Sequence, residues 1–166
     1  MKILSAFFQR TRNRRLIYLL ILLLFTSVNL FITPKKRYIF GFYSQKSRSL
    51  ILENRFLIAG ETKEDQLRHY VEEYLLGPMM IDSYPLFSQE SSLNTIMIRK
   101  DHAYIDLTDL AALPAAGPIP FKERARVFTD MVQKNFQSLK EITLFIAGNE
   151  LYHTNTVQKI KKSVDK

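Results

Sequence analysis

The segment GETKEDQLRHYVEEYLLGP, residues 60–78, decides the fold because it carries the most distinct helical pattern in the chain. Thr62, followed three residues later by Asp65, is a helix N-cap signal, and Gly77-Pro78 ends the helix. Its apolar residues recur at the spacing of one helical face: Leu67, Tyr70, Val71, Tyr74 and Leu75. The pattern predicts an amphipathic helix that buries one stripe against a sheet.

Strand-like segments flank this helix on both sides. Before it, RYIFGFY (37–43) and LILENRFLIA (50–59) are joined by the polar stretch 44–49, which predicts a hairpin. After it, LNTIMIR (93–99) and AYIDL (103–107) are separated by a short turn and predict a second hairpin. Each hairpin alternates its side chains between two faces, so one face of each can be buried.

The remaining segments complete the fold prediction. Residues 121–136 repeat the helical stripe, residues 141–148 (EITLFIAG) form a strongly β-prone strand, and residues 153–166 form a polar C-terminal tail that frays or makes a loose helix. The predicted order is β-β-α-β-β-α-β. We expect an α+β, two-layer sandwich with both helices on one face of a mostly antiparallel sheet.

Positive charge is concentrated at the N-terminus. The chain of 166 residues has 24 basic and 16 acidic residues, but residues 1–60 hold 11 of the basic residues and only one acidic residue, Glu53. Residues 61–166 hold 13 basic and 15 acidic residues. A nucleic-acid-binding domain needs a basic face for the phosphate backbone, so no nucleic-acid partner is expected.

An uncharged apolar run follows the basic tail of residues 1–15. Residues 16–33, LIYLLILLLFTSVNLFIT, contain no charge, and Lys35-Lys36-Arg37 comes soon after them. As a helix the run would be roughly 27 Å long, close to the ~30 Å of a hydrocarbon core. It predicts a transmembrane anchor. The alternative is a cleaved signal peptide, but the run exceeds the usual apolar region, and Ser27 and Asn29 make a poor cleavage pair.

Basic residues lie on both sides of this run, so charge alone does not set its orientation. A short tail with four arginines is hard to translocate, whereas a long downstream domain crosses largely regardless of its charge. We therefore expect a single-pass protein of the cytoplasmic membrane, with residues 1–15 in the cytoplasm and the C-terminal domain outside. The chain has no cysteine, which excludes a lipid-attachment cysteine and disulfides.

Four motifs in this order resemble the GerMN domain family of bacterial sporulation and germination proteins. They are HYVEEYLLGP (69–78), YPLF (84–87), AYIDLTDL (103–110) and ITLFIAGNEL (142–151). The resemblance covers roughly residues 38–152. It implies an extracytoplasmic domain of the cell envelope that acts in assembly or binding, with no established catalytic activity.

The motif AYIDLTDL raises the question of chemistry, because Asp106, Thr108 and Asp109 lie within four residues. A metal site or a catalytic site would need further ligands or bases at characteristic spacings. The three histidines are scattered, no nucleophile motif is present, and the five glycines are too dispersed for a phosphate-binding loop. We predict no enzyme activity, no metal and no cofactor. Asp106 then closes a strand by bonding backbone amides of the following turn.

A role in binding is the best functional prediction. Tyr104 and Asp106 should lie on the sheet face opposite the helices, where an open surface could contact an envelope protein, unless the loop 79–92 covers it. A free hairpin edge could also recruit a second copy by strand addition. The bilayer is expected as a partner through residues 16–33. The alternative function is a cell-wall-associated hydrolase or a ligand-binding accessory protein.

Overall fold

The computed structural model describes residues 11–32 and 34–155 of the chain. The chain divides into two compact units, one ending at Lys35 and the other beginning at Lys36. In the first unit helix α1 spans Thr11–Ile32, so the predicted anchor is helical up to Ile32, and its last residue, Thr33, lies outside the described residues. Among the described residues, no helix combines the length and the apolar character needed to cross a membrane.

Residues 34–155, as the structure describes them, contain two helices, a 3₁₀ helix and seven strands. In chain order these are β1 (Lys35–Ser44), β2 (Leu50–Ile58), α2 (Lys63–Leu75), β3 (Ser83–Tyr84), β4 (Leu93–Arg99), β5 (His102–Leu107), the 3₁₀ helix (Asp109–Ala112), α3 (Phe121–Asn135), β6 (Glu141–Ile146) and β7 (Asn149–Asn155). The α+β class is confirmed. The two-residue strand β3, the 3₁₀ helix and the full length of β7 are additions to the predicted order.

Helix α2 begins and ends as its sequence predicts. The Thr62 side chain accepts a hydrogen bond from the Asp65 amide at 3.0 Å, and the Asp65 carboxylate accepts one from the Thr62 amide at 3.2 Å. These two bonds satisfy amides that the first turn of a helix leaves without partners. After the last turn Gly77 adopts a φ of 88°, a left-handed conformation that glycine tolerates best. All five residues of the predicted apolar stripe are buried.

The prediction of one mostly antiparallel sheet is wrong. The strands form two sheets, one in the order β2-β1-β3 and the other in the order β4-β5-β6-β7. Strands β4 and β5 pair antiparallel, as do β6 and β7, but β5 and β6 pair parallel, with Ile105 opposite Leu144. Parallel neighbours need a long crossover connection. The segment between Leu107 and Glu141, which contains α3, provides it.

One core joins both sheets to both helices. Helix α2 contacts β2 and β4, and α3 contacts β6 and β7. Aromatic rings from β1 lie at the centre of this core: Tyr38 is 5.7 Å from Phe136 and Phe40 is 4.6 Å from Tyr70, measured between ring centroids. These distances lie in the favourable range for aromatic pairs. Fully burying one such side chain contributes about 1.5–3 kcal/mol to stability.

Side chains from the helices bind the edge of β1 that faces away from β2. The side-chain amide of Asn135 accepts a hydrogen bond from the Ile39 amide at 2.8 Å and donates one to the Ile39 carbonyl at 2.7 Å. The Tyr70 hydroxyl also donates to the Ile39 carbonyl, at 3.0 Å. The Tyr74 hydroxyl accepts from the Gly41 amide and donates to the Gly41 carbonyl. Strand β3 then pairs with the last two residues of β1, so side chains and a short strand share this edge.

Gly41 permits the close packing of α3 on β1. A Cβ atom at this position would lie 3.1 Å from the Met131 side chain and 3.3 Å from the Leu50 side chain. Both distances are tighter than ordinary van der Waals contact, so a larger residue would push the helix and the strand apart. The absence of a side chain keeps the Gly41 backbone within reach of the Tyr74 hydroxyl.

The C-terminal boundary of the domain differs from the predicted one. We expected the domain to end near Tyr152 and a polar tail to begin at His153, but β7 continues to Asn155. Asn155 pairs with Glu141, the first residue of β6. Strand β7 is therefore as long as its partner allows, because each further pair satisfies backbone groups of β6. Residues 156–166 of the predicted tail lie outside the described residues.

The hydrogen bonds at the edge of β1 predict that removing the Tyr74 hydroxyl lowers the stability of the domain. Tyr74→Phe keeps the buried ring but leaves the amide and the carbonyl of Gly41 without their partner, so we expect a loss of about 1–3 kcal/mol in unfolding free energy. The measurement is denaturant unfolding of the full chain in detergent, followed by near-ultraviolet circular dichroism. Tyr104→Phe, on the open face of the other sheet, is the control and should change stability by less than about 0.5 kcal/mol. Equal losses in the two variants would contradict the assignment.

Candidate interaction surfaces

The first candidate surface is the outer face of the four-stranded sheet. Side chains of β5 alternate between the core and this face, which carries His102, Tyr104 and Asp106. The Tyr104 ring stacks on the His102 ring with 4.1 Å between centroids, and the Phe145 ring of β6 lies 6.4 Å away. All four side chains are half-buried. The structure thus places both predicted contact residues, Tyr104 and Asp106, on one face, and their role in partner binding stays a prediction.

The Asp106 side chain of β5 forms hydrogen bonds with groups on both neighbouring strands. One carboxylate oxygen accepts a hydrogen bond from the Gly148 amide in the turn between β6 and β7, at 3.0 Å, and the other accepts one from the Asn94 side chain of β4, at 3.3 Å. The predicted structural role is therefore right in kind, but its partners lie across the sheet and not in the following turn. Thr108 similarly accepts from the Ser92 amide, at 3.0 Å.

The loop 79–92 takes a different path from the one that would cover this surface. Its residues Ser83 and Tyr84 pair with β1 as strand β3, and its Leu86 and Phe87 are buried in the core. The Phe87 ring lies 5.3 Å from the Phe128 ring of α3. Within residues 11–32 and 34–155 no group of three or more acidic, histidine or cysteine side chains is placed to hold a metal ion.

The second candidate surface, which the sequence analysis missed, lies on β2. This strand has its polarity reversed: Glu53 and Arg55 are each only 6% exposed, whereas Phe56 is 67% and Ile58 57% exposed. Leu50 and Leu52 share the exposed face. The alternation of charged and apolar residues in LILENRFLI does predict a two-faced strand, but the usual rule that apolar residues point inward gives the wrong face.

A buried ion network explains the reversal. The Arg55 guanidinium lies 2.7 Å from the Glu53 carboxylate and 2.9 Å from the Glu73 carboxylate, and it donates to the Gly77 carbonyl at 2.7 Å. It also lies over the Phe40 ring, 4.8 Å from the centroid. Arg55 therefore binds carbonyl and carboxylate groups at the C-terminal end of α2, where a helix favours positive charge. A charge that is paired and hydrogen-bonded in this way can be buried.

Glu53 extends the network to the loop after α2. Its carboxylate accepts hydrogen bonds from the amides of Met79 and Met80, each at 3.2 Å. This holds the segment that follows Gly77-Pro78 beside β2. The side chains of that segment point outward, and Ile81 is 94% exposed.

We call the resulting patch the apolar surface. It comprises the exposed apolar side chains of β2, which are Leu50, Leu52, Phe56 and Ile58. A groove of about 490 Å³ between β2 and α2 adjoins this surface at Phe56 and Ile58, and its lining also includes Leu57, Leu76 and Glu73. Large exposed apolar patches mark binding sites on folded proteins.

A second groove, of about 320 Å³, lies near the end of β1 and is lined by residues that include Tyr43, Tyr84, Arg48 and Glu123. Hydrogen bonds from Arg126 and then from the Tyr43 hydroxyl lower the pKa of Glu123. Burial, followed by the bond to Glu123, raises the pKa of Tyr43 to about 12. Near neutral pH neither group changes its protonation state, so neither is tuned for general acid–base catalysis.

Comparison with known proteins relates this fold to solved structures. No family model and no curated protein matches the sequence. The tandem GerMN domains of the sporulation protein GerM from Bacillus subtilis are similar in structure, with a TM-score of 0.52 and 11% identity, over 69% of this chain and 40% of that one. The first GerMN domain of the same protein (TM-score 0.45, 18% identity, 68% of this chain and 85% of that one) and a candidate lipoprotein from Clostridium perfringens (TM-score 0.49, 11% identity, 75% and 89%) are also similar.

The likeness to the tandem GerMN domains confirms that this chain has a GerMN-like fold. The identities are low, so the likeness concerns the fold and carries over no partner or site residue. This chain spans 40% of the length of the tandem structure.

The buried ion network should contribute more to the unfolding free energy than an exposed ion pair does. Arg55→Leu leaves the Glu53 carboxylate buried without its counter-ion, so we expect a loss of about 3–5 kcal/mol in unfolding free energy. Lys46→Met breaks the exposed pair between Lys46 and Asp82 and should leave the unfolding midpoint unchanged. Chemical denaturation of the full chain in detergent measures both. An Arg55→Leu variant as stable as the parent would show that the network does not hold β2 in its reversed orientation.

Proposed function

We propose that this chain is a membrane-anchored, extracytoplasmic module of the bacterial cell envelope that acts by binding other proteins and not by catalysis. The GerMN-like fold is the first support, because the similar tandem structure belongs to a sporulation protein. Sporulation-related assembly at the envelope is accordingly the process we propose for it.

The apolar surface is the observation that carries the binding role. The exposed side chains of β2 would be more stable if another protein covered them, at about 25 cal/mol for each Å² of apolar area removed from water. The buried network of Glu53 and Arg55 fixes the orientation of the strand, so the surface is presented in one defined arrangement. A preorganised surface loses less conformational entropy on binding than a flexible one.

Anchoring rests on the sequence of residues 16–33. The run has no charge between Arg15 and Lys35, and its described part belongs to helix α1. The basic tail of residues 1–15 supports a cytoplasmic N-terminus, and the domain would then lie outside the membrane.

Tyr104 and Asp106, on the outer face of the four-stranded sheet, are the second contact that we propose for a protein partner.

A ligand-binding accessory role is the alternative, and the groove beside Tyr43 favours it. Its two tyrosines and Arg48 could contact a polar ligand such as a wall fragment. A hydrolase is less well supported, because the lowered pKa of Glu123 keeps that carboxylate ionised and unable to donate a proton at neutral pH.

The topology can be tested with single cysteines, because the chain has none. We expect Leu113→Cys, at an exposed position in the domain, to react with a membrane-impermeant maleimide in intact cells. Ser5→Cys, in the basic tail, should react only after the membrane is permeabilised. The reverse pattern, or labelling of both positions only after permeabilisation, would contradict an extracytoplasmic domain.

A further inference from the structure

Among the described residues, no strand pairs with the outer edge of β2, which we call its open edge. Strand β2 is the outer strand of the sheet β2-β1-β3 and, with nine residues, longer than an average strand. The Ser44 amide at the end of β1 donates to the Ser49 carbonyl at 2.9 Å, so the backbone groups of odd-numbered residues in the strand that follows are directed toward β1. Because backbone groups alternate in direction along a strand, those of Leu50, Leu52, Asn54 and Phe56 point to the same open edge.

The sequence of β2 is symmetric in chemistry about Asn54. Residues at equal distances on either side are matched: Leu52 with Phe56, Ile51 with Leu57, Leu50 with Ile58, and Glu53 with Arg55. If two such strands lie antiparallel with Asn54 opposite Asn54, every apolar residue faces an apolar residue and each glutamate faces an arginine. Cross-strand pairs of these kinds stabilise a sheet.

We propose that two copies of this chain associate through their β2 strands, paired antiparallel about a two-fold axis at Asn54. The backbone groups that point to the open edge are those of the even-numbered residues, and this register places even-numbered residues opposite one another. Both strands therefore gain hydrogen bonds in the same register that matches their side chains. The two three-stranded sheets become one sheet of six strands.

The groove beside β2 fits the same arrangement. In this register Ile51 of the partner subunit lies opposite Leu57, on the face that the groove borders. The apolar lining at Leu57 and Leu76 can then receive that side chain. A two-fold interface uses the same patch on both copies and closes on itself, so it yields a dimer and not a fibre.

Two other sheet edges, β4 and β3, are less suited to this pairing. Strand β4 exposes three polar or charged residues, Asn94, Thr95 and Arg99, and one apolar residue, Met97, and β3 has only two residues. Proteins commonly protect sheet edges with charged residues. On β2 the two charged residues point inward to the network, and its exposed face is apolar except for Asn54.

Disulfide trapping tests the register, using the full-length chain in detergent micelles under mild oxidation. Opposed residues of this kind have Cα atoms about 5.5 Å apart, within the range that a disulfide spans. We expect Asn54→Cys to form a covalent dimer with itself. Leu52→Cys and Phe56→Cys should cross-link strongly when mixed and weakly when alone. Leu113→Cys, exposed in a loop, is the control and should form no covalent dimer.

Sedimentation equilibrium in density-matched detergent tests the affinity. Phe56→Lys replaces a ring that each subunit would pack against Leu52 of the partner subunit, so the dissociation constant should rise about 100-fold, since each of two sites loses roughly a factor of ten. Leu113→Lys should leave it unchanged. Because Phe56 is exposed in the monomer, the fold should survive, and far-ultraviolet circular dichroism checks this.

Three results would overturn the dimer. A parent chain that is monomeric at all concentrations is the first, and a dimer that Phe56→Lys does not weaken, with no cross-link at residue 54, is the second. The third is a monomer whose binding to lipid vesicles depends on Phe56, which would assign the surface to a membrane. In this proposal the binding partner is a second copy of the chain, so the proposal rests on the proposed binding role. The two proposals can fail separately. A monomeric chain would not change the cysteine-labelling result, and a domain found in the cytoplasm would not change the cross-linking result.

Discussion

The hydrogen bonds between the helices and the free edge of β1 are the constraint on which the rest of the structure depends. A buried strand with unpaired backbone groups would be unstable, since each lost bond costs about 1–3 kcal/mol. Asn135 and Tyr74 supply those bonds from two different helices. Both helices must therefore lie at fixed positions along β1, and their buried stripes then place the four-stranded sheet.

The same helix that binds β1 also sets the orientation of β2. The end of α2 brings the Gly77 carbonyl and the amides of Met79 and Met80 beside β2. The carbonyl needs a hydrogen-bond donor, and the two amides need an acceptor. Arg55 and Glu53 satisfy them. Because these charged residues face inward, the apolar residues on either side of them, Leu52 and Phe56, must face outward. The binding surface is thus a consequence of how the helix end is stabilised.

Features that depend on neighbouring residues could be predicted from the sequence, and those that depend on distant residues could not. The cap at Thr62 and the stripe of α2 follow from contacts within a few residues, and both are confirmed. The parallel pairing of β5 with β6 depends on a crossover longer than 30 residues. Asp106 binds Gly148, 42 positions away, and Arg55 binds Gly77, 22 positions away. No local pattern in the sequence specifies such partners.

Native-state hydrogen exchange of the β1 amides tests most directly whether the hydrogen bonds at this edge hold the domain together. The Ile39 amide donates to the side-chain oxygen of Asn135, and the Gly41 amide donates to the Tyr74 hydroxyl. If these bonds hold the domain together, both amides should exchange only on global unfolding, as slowly as the Ile105 amide in the centre of the four-stranded sheet. Exchange of Ile39 and Gly41 at the rate of Gly117, in the exposed loop, would contradict the account.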